Sequence, residues 1–139
     1  MIIRKAQLDD IPYLYDLLQQ EWPFEMELNK DYSQDYKKCI ENGSIFYLAE
    51  IEGRIVGMLM LQLQHKLLRN GSLVGFIEEV VVDSSERGKK IGEKLIKQVV
   101  NNARDLGCYK VILSCKPERI KFYERCGLRE DSHTMRIDL

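Results

Sequence analysis

The sequence predicts an α/β (α+β) domain of three layers, one sheet with helices on both faces. Two observations carry that prediction. The first half of the chain alternates apolar runs with tight-turn signals, the pattern of strands joined in hairpins. The second half sets one amphipathic helix, 90–106, between two apolar β-branched runs, which reads as a strand–helix–strand crossover. At 139 residues the chain has the length of one domain, 1–139, with room for a single sizeable core.

Ile2 to Ala6 reads as a first strand. Asp9 or Asp10 is placed to cap the helix that follows, and Pro12 fits its first turn. Leu14, Leu17 and Leu18 give that helix its core stripe, and Glu21-Trp22-Pro23 ends it, because proline disfavours helix just before itself. Residues 30–42 form a second, weaker helical pattern closed by Asn42-Gly43. Ser44 to Glu50 and Arg54 to Leu63 read as strands joined at the Glu52-Gly53 turn. Residues 64–72, with Asn70-Gly71, read as a loop, and Val74 to Val82 as a long strand. In the helix 90–106, Ile91, Leu95, Val99, Val100 and Ala103 share a face, and Gly107 is its stop. Tyr109 to Ser114 predicts another strand, Pro117 to Cys126 a short helix, and 128–139 one final strand.

Hydrophobic residues at 45% and charged residues at 31% match an ordinary globular chain. A net charge of −1 gives no overall field for nucleic acid or an anionic membrane, so neither is an expected partner and any anion site must be local. No apolar run is long enough to span a bilayer, and the N-terminus turns polar too soon for a signal peptide; the expected setting is cytoplasmic. The four cysteines form no C-x-x-C pair, and His65 and His133 stand alone, so no metal is expected. Cys115 and Cys126, flanking the last helix, are expected to be small buried hydrophobes.

The segment from Val80 to Ile96 carries the chemistry. A β-branched run breaks into a polar turn with two glycines and clustered positive charge, then resumes as a helix. Such a turn aims backbone N–H groups and the positive end of a helix at one spot, where a diphosphate is stabilised. A P-loop needs G-x-x-x-x-G-K-[ST] and a dinucleotide fingerprint needs three glycines; neither is present.

Arg87-Gly88-Lys89-Lys90-Ile91-Gly92 resembles the acyl-CoA loop of the GCN5-related N-acetyltransferases, Q/R-x-x-G-x-G/A, with Lys90 where the first glycine is expected. The likeness continues in Gly75-Phe76-Ile77-Glu78-Glu79, in Val111-Ile112-Leu113-Ser114-Cys115 and in Phe122-Tyr123-Glu124-Arg125-Cys126-Gly127, which are similar to the glucosamine 6-phosphate N-acetyltransferase group. Phe76, Glu79, Ser114 and Arg119 differ from that group's histidine, two aspartates and asparagine, and Asp138 falls where a basic residue is common. Arg119, Arg136 and Lys66 are the cations left to meet a substrate phosphate.

The resemblance implies a twisted, mostly antiparallel sheet of six to seven strands with a splayed central pair, and a homodimer with the acceptor near the subunit boundary. It implies that acetyl-CoA, with no metal, lies along Val80, Val81 and Val82, over Arg87, Gly88, Lys89, Lys90, Ile91, Gly92 and Lys94, and against Cys115, Phe122 and Tyr123. The acceptor is expected to be a small amine such as glucosamine 6-phosphate. A peptide or protein amine, or a non-catalytic acyl-CoA-binding module, are the other readings.

Acetyl transfer to an amine needs a base for the ammonium proton and an acid for the leaving thiolate. Tyr123 is the candidate acid, since a phenol near pKa ~10 can donate to a forming thiolate. Glu78 and Glu79 are the candidates for handling the amine. Strand alternation puts them on opposite faces, Glu78 with Val80 and Val82, Glu79 with Ile77 and Val81, so that one of the two faces the site. Trp22-Pro23-Phe24 and the polar stretch to Asp35 are an acceptor-site lid or a packed connector.

Overall fold

A computed structural model describes residues 1–139. The elements are β1 (Ile2–Lys5), α1 (Ile11–Glu21), α2 (Ser33–Glu41), β2 (Ser44–Ile51), β3 (Arg54–His65), α3 (Leu68–Gly71), β4 (Leu73–Val82), α4 (Ile91–Asp105), β5 (Cys108–Ile112) and α5 (Ile120–Arg125). The sheet runs β1-β2-β3-β4-β5, antiparallel up to β4 and parallel between β4 and β5. It therefore has five strands, not six or seven. Short 3-10 turns precede α1 and α5, and α3 is a single turn in which Arg69 and Asn70 take left-handed angles.

Two clusters of side chains sandwich the sheet. On one face α1 packs Leu14 and Leu17 against Phe46, Leu48, Met58 and Val81, with Tyr36 and Cys39 of α2 alongside. On the other face α4 packs Leu95, Ile96, Val99 and Ala103 against Tyr47, Leu59, Leu61 and Ile77, together with Tyr123 and Cys126 of α5. The alternation of Phe46, Tyr47 and Leu48 between the two clusters is the period-two pattern of a strand buried on both sides.

Asp10 stands at the start of α1, but its carboxylate makes no cap bond to that helix. It accepts from the Gln7 N–H at 2.8 Å and from both terminal nitrogens of Arg4 at 2.7 and 2.9 Å. The Arg4 guanidinium, first, and that N–H hold the Asp10 carboxyl below its ordinary pKa. Residues 128–139 form no strand. A strand needs a neighbouring edge for its ladder, and the tail is tied to the body by Ser114 Oγ and Thr134 Oγ1, 2.6 Å apart. Met135, Ile137 and Leu139 stand exposed along it.

Two irregularities in β4 shape the site. Its ladder with β5 runs from Leu73 to Phe76, where β5 ends at Ile112, so β4 from Ile77 to Val82 has no strand partner on that edge. Its ladder with β3 pairs Met58 with Val81 and Met60 with Glu78, leaving Leu59 opposite both Glu79 and Val80. That is a β-bulge, with Glu79 at φ 53.

Candidate active site

From Arg87 to Glu93 no backbone N–H finds an acceptor in the chain; the last before them is Glu86 to Asp83 and the next is Lys94 to Lys90. Gly88 at φ 83 and Lys90 at φ 63 turn this stretch, and the fifteen-residue α4 starts from it. Unpaired donors are normal in the first turn of a helix, but here the run extends several residues upstream of it. The donor set fits a diphosphate. Close packing holds the loop in place: a Cβ on Gly92 would stand 3.1 Å from Phe122 and 3.4 Å from Val82. Lys90 occupies a conformation that favours glycine, at a strain of about 1 kcal/mol.

The loop's charges are partly taken up locally. Lys89 Nζ lies 2.7 Å from Glu86, which also pairs with Arg54. Arg87 reaches the Val82 carbonyl at 3.3 Å and Glu21 at 3.4 Å, and Glu21 in turn accepts from Arg119 at 2.6 Å. Gln20 adds a bond to the Ser84 N–H at 2.9 Å and to Asp83 at 3.2 Å. The C-terminal turn of α1 thus clamps the exit of β4 to the start of the last helix.

The bulge changes the expected disposition of the glutamates. Ile77, Val80 and Val82 face α4, whereas Val81 faces α1. Glu78 and Glu79 both line one cavity of about 530 Å³ on the α1–α2 face. The extra residue inserted at Glu79 resets the alternation, so the two carboxylates share a face rather than dividing between faces. Neither has a hydrogen-bond or ion-pair partner in the protein. Burial, and then the neighbouring Glu78, push the Glu79 carboxyl above its ordinary pKa.

Tyr123 lies on the opposite side of the sheet, in the α4–α5 cluster. It is 9% exposed, and no side chain of the protein bonds its hydroxyl. Burial raises its pKa while the Arg119 charge acts against that rise, so the phenol keeps its proton at neutral pH. The base and acid candidates therefore stand on opposite faces of the sheet.

Other expected site residues are redistributed. Val81 and Ile91 bury their side chains in the core, at 2% and 3% exposure, so only their main chains can meet a ligand. Cys115 is exposed beyond the end of β5, not buried; Cys126 is buried, with its thiol 3.3 Å from the Phe122 carbonyl. Lys94 projects into solvent one turn into α4, and Phe122 packs beside Tyr123 with ring centroids 5.0 Å apart. Sequence reasoning missed Gln20 and Glu21, whose role depends on where α1 ends. It also missed the bulge, which adds a residue without any change in composition. The residues after α1 do wall the cavity: Trp22 and Phe24 line it, and the Gln19 side chain makes two bonds to the Phe24 backbone, at 2.8 and 3.0 Å.

Comparison with known proteins gives the family of the fold. The sequence matches the family model "Acetyltransferase (GNAT) family" over residues 11–128. The chain belongs to that family. It is similar to the glucosamine 6-phosphate N-acetyltransferase of Arabidopsis thaliana, 35% identical over 116 residues, which is 84% of this chain and 74% of that protein. It is similar as well to the glucosamine 6-phosphate N-acetyltransferase of Trypanosoma brucei brucei, 47% identical over 87 residues, 63% of this chain and 59% of that protein. A crystal structure of a Trypanosoma brucei acetyltransferase superposes with a TM-score of 0.91 at 33% identity, covering 99% of both chains.

Proposed function

We propose that this acetyltransferase moves the acetyl group of acetyl-CoA to the primary amine of an amino sugar phosphate, glucosamine 6-phosphate being the compound of choice. The names of the two relatives above support the acceptor. The observation that carries the chemistry is the pairing of an unsatisfied amide run at Arg87–Glu93 with carboxylates and a buried phenol on opposite faces of the sheet.

The amides of residues 87–93 hold the diphosphate, and the unpaired edge of β4 offers its backbone to the pantetheine arm. Acetyl-CoA supplies the acetyl group as a thioester and departs as a free thiol. Glu79 takes the proton from the attacking nitrogen; its raised pKa makes it a better base than an ordinary carboxylate. Tyr123 gives its proton to the departing sulfur and regains one from solvent. The new bond is carbon to nitrogen and the broken one carbon to sulfur, with no acyl-enzyme. The sugar's phosphate draws on Lys66, or on Arg119 and Arg136 by displacing Glu21 and Asp138, each bonded at 2.6 Å.

The acting unit is a homodimer in this proposal. Support comes from Met135, Ile137 and Leu139, alternating and exposed along the tail, and from β5, which pairs with β4 alone. An open edge and an unpaired strand-patterned tail are complementary between two copies. Light scattering tests this: two chains per particle are expected, and one after removal of 129–139.

Thiol release with glucosamine 6-phosphate, acetyl-CoA and the purified chain tests the activity. Release that depends on the amino sugar is expected. Tight acetyl-CoA binding with no release for any amine, sugar or peptide, would make the chain a binding module instead.

A further inference from the structure

The acid-lipped cavity on the α1–α2 face has walls that do not suit a sugar phosphate. Nine of its twelve lining residues are hydrophobic, among them Leu14, Leu18, Trp22, Phe24, Tyr36 and Phe46. No lysine or arginine lines it, so nothing there neutralises a phosphate dianion. Three carboxylates do line it. Asp35 is already held by Lys30 at 3.1 Å, which leaves Glu78 and Glu79 without a cation. An apolar cavity of about 150 Å³ is enough for benzene. At about 530 Å³ this one has room for a longer hydrocarbon body.

We infer that this cavity takes a hydrophobic primary amine, its ammonium between Glu78 and Glu79 and its hydrocarbon body against the α1 and α2 side chains, making such amines a second acceptor class beside the sugar phosphate. The turnover part rests on the acetyl-transfer reading above. The occupancy part stands on the cavity alone. An alkylammonium matches both halves of the lining: charge against charge at the bulge, and methylenes against Leu, Phe, Tyr and Trp elsewhere. The cavity shares its acidic wall with the bulge in β4, so an amine seated there has its nitrogen beside Glu79. Once deprotonated, it forms the same carbon–nitrogen bond, with the same release of thiol, as the amino sugar.

Trp22 lines the cavity and is the chain's single tryptophan, so its emission reports occupancy without any turnover. The full chain is titrated with n-alkylamines from propylamine to heptylamine, with 1-hexanol as the neutral control. Thiol release with acetyl-CoA is then measured for the same amines and for glucosamine 6-phosphate. Affinity is expected to rise about threefold to fourfold per methylene, and hexanol to bind at least about tenfold more weakly than hexylamine. Cys39→Phe, which fills the cavity from α2, is expected to flatten that rise. Emission that does not respond to any amine, or a flat series in the parent protein, overturns the inference even if glucosamine 6-phosphate is acetylated. A rising series without thiol release from any amine, including the sugar, keeps the occupant assignment and removes the acetyl-transfer reading instead.

Discussion

At the scale of single residues, the site depends on groups held away from their ordinary behaviour. Tyr123→Phe removes one oxygen from a buried ring and leaves its packing intact. Turnover is expected to fall about a hundredfold, with acetyl-CoA affinity by calorimetry within about twofold. Glu79 is raised by burial, so the folded state binds its proton more tightly than the unfolded chain does. Its contribution to stability therefore falls as pH rises from the ordinary carboxylate value through the folded one. Glu79→Gln is expected to melt higher than the parent at pH 7, with the difference vanishing below pH ~4, while losing most of its acetyl transfer. A variant that melts lower at pH 7 would show that the carboxylate is partnered. Lys90→Gly relieves a left-handed side chain at φ 63. It is expected to gain about 0.5–1 kcal/mol in denaturant unfolding.

At the scale of elements, β1 is held to the start of α1 by Arg4 gripping Asp10 at 2.7 Å and Glu50 at 2.9 Å. Arg4→Ala leaves the largely buried Asp10 without its cation and is expected to destabilise by about 2–3 kcal/mol. Because Asp10 titrates below its ordinary value, that difference is held above pH ~3.8 and shrinks as pH falls through the folded pKa, which parallel unfolding curves at pH 7 and pH 3 measure. Elements with a strong apolar period were legible in the sequence. The helix expected over 90–106 is observed over 91–105, and the Glu52-Gly53 turn joins two strands with both residues at positive φ. What escaped the sequence depends on contacts made between elements. A bulge inserts one residue into β4, which moves two glutamates onto one face, and no local pattern marks it. The tail's alternation promised a strand, but a strand forms only with a partner, and within the single chain the tail pairs with none. The Lys90 position was legible as a departure from the glycine pattern, whereas its left-handed angle is imposed by the turn into α4.

At the scale of the whole molecule, the sheet acts as a partition. The phenol and the α4–α5 core stand on one side, the carboxylates and the α1–α2 cavity on the other, and the β4–β5 ladder stops at Phe76, short of Glu78 and Glu79. Glu21 and Gln20 tie the end of α1 to the segment leading into α4 and to Arg119 before α5, so the two sides of the sheet are braced against each other there. The account rests on the amides between Arg87 and Glu93 gripping a diphosphate. Calorimetric titration with acetyl-CoA, set beside S-acetylpantetheine, which lacks the diphosphate, tests that grip directly. Acetyl-CoA is expected to bind at least about a hundredfold more tightly. Equal affinities, or no heat of binding for acetyl-CoA to the folded chain, would contradict the account.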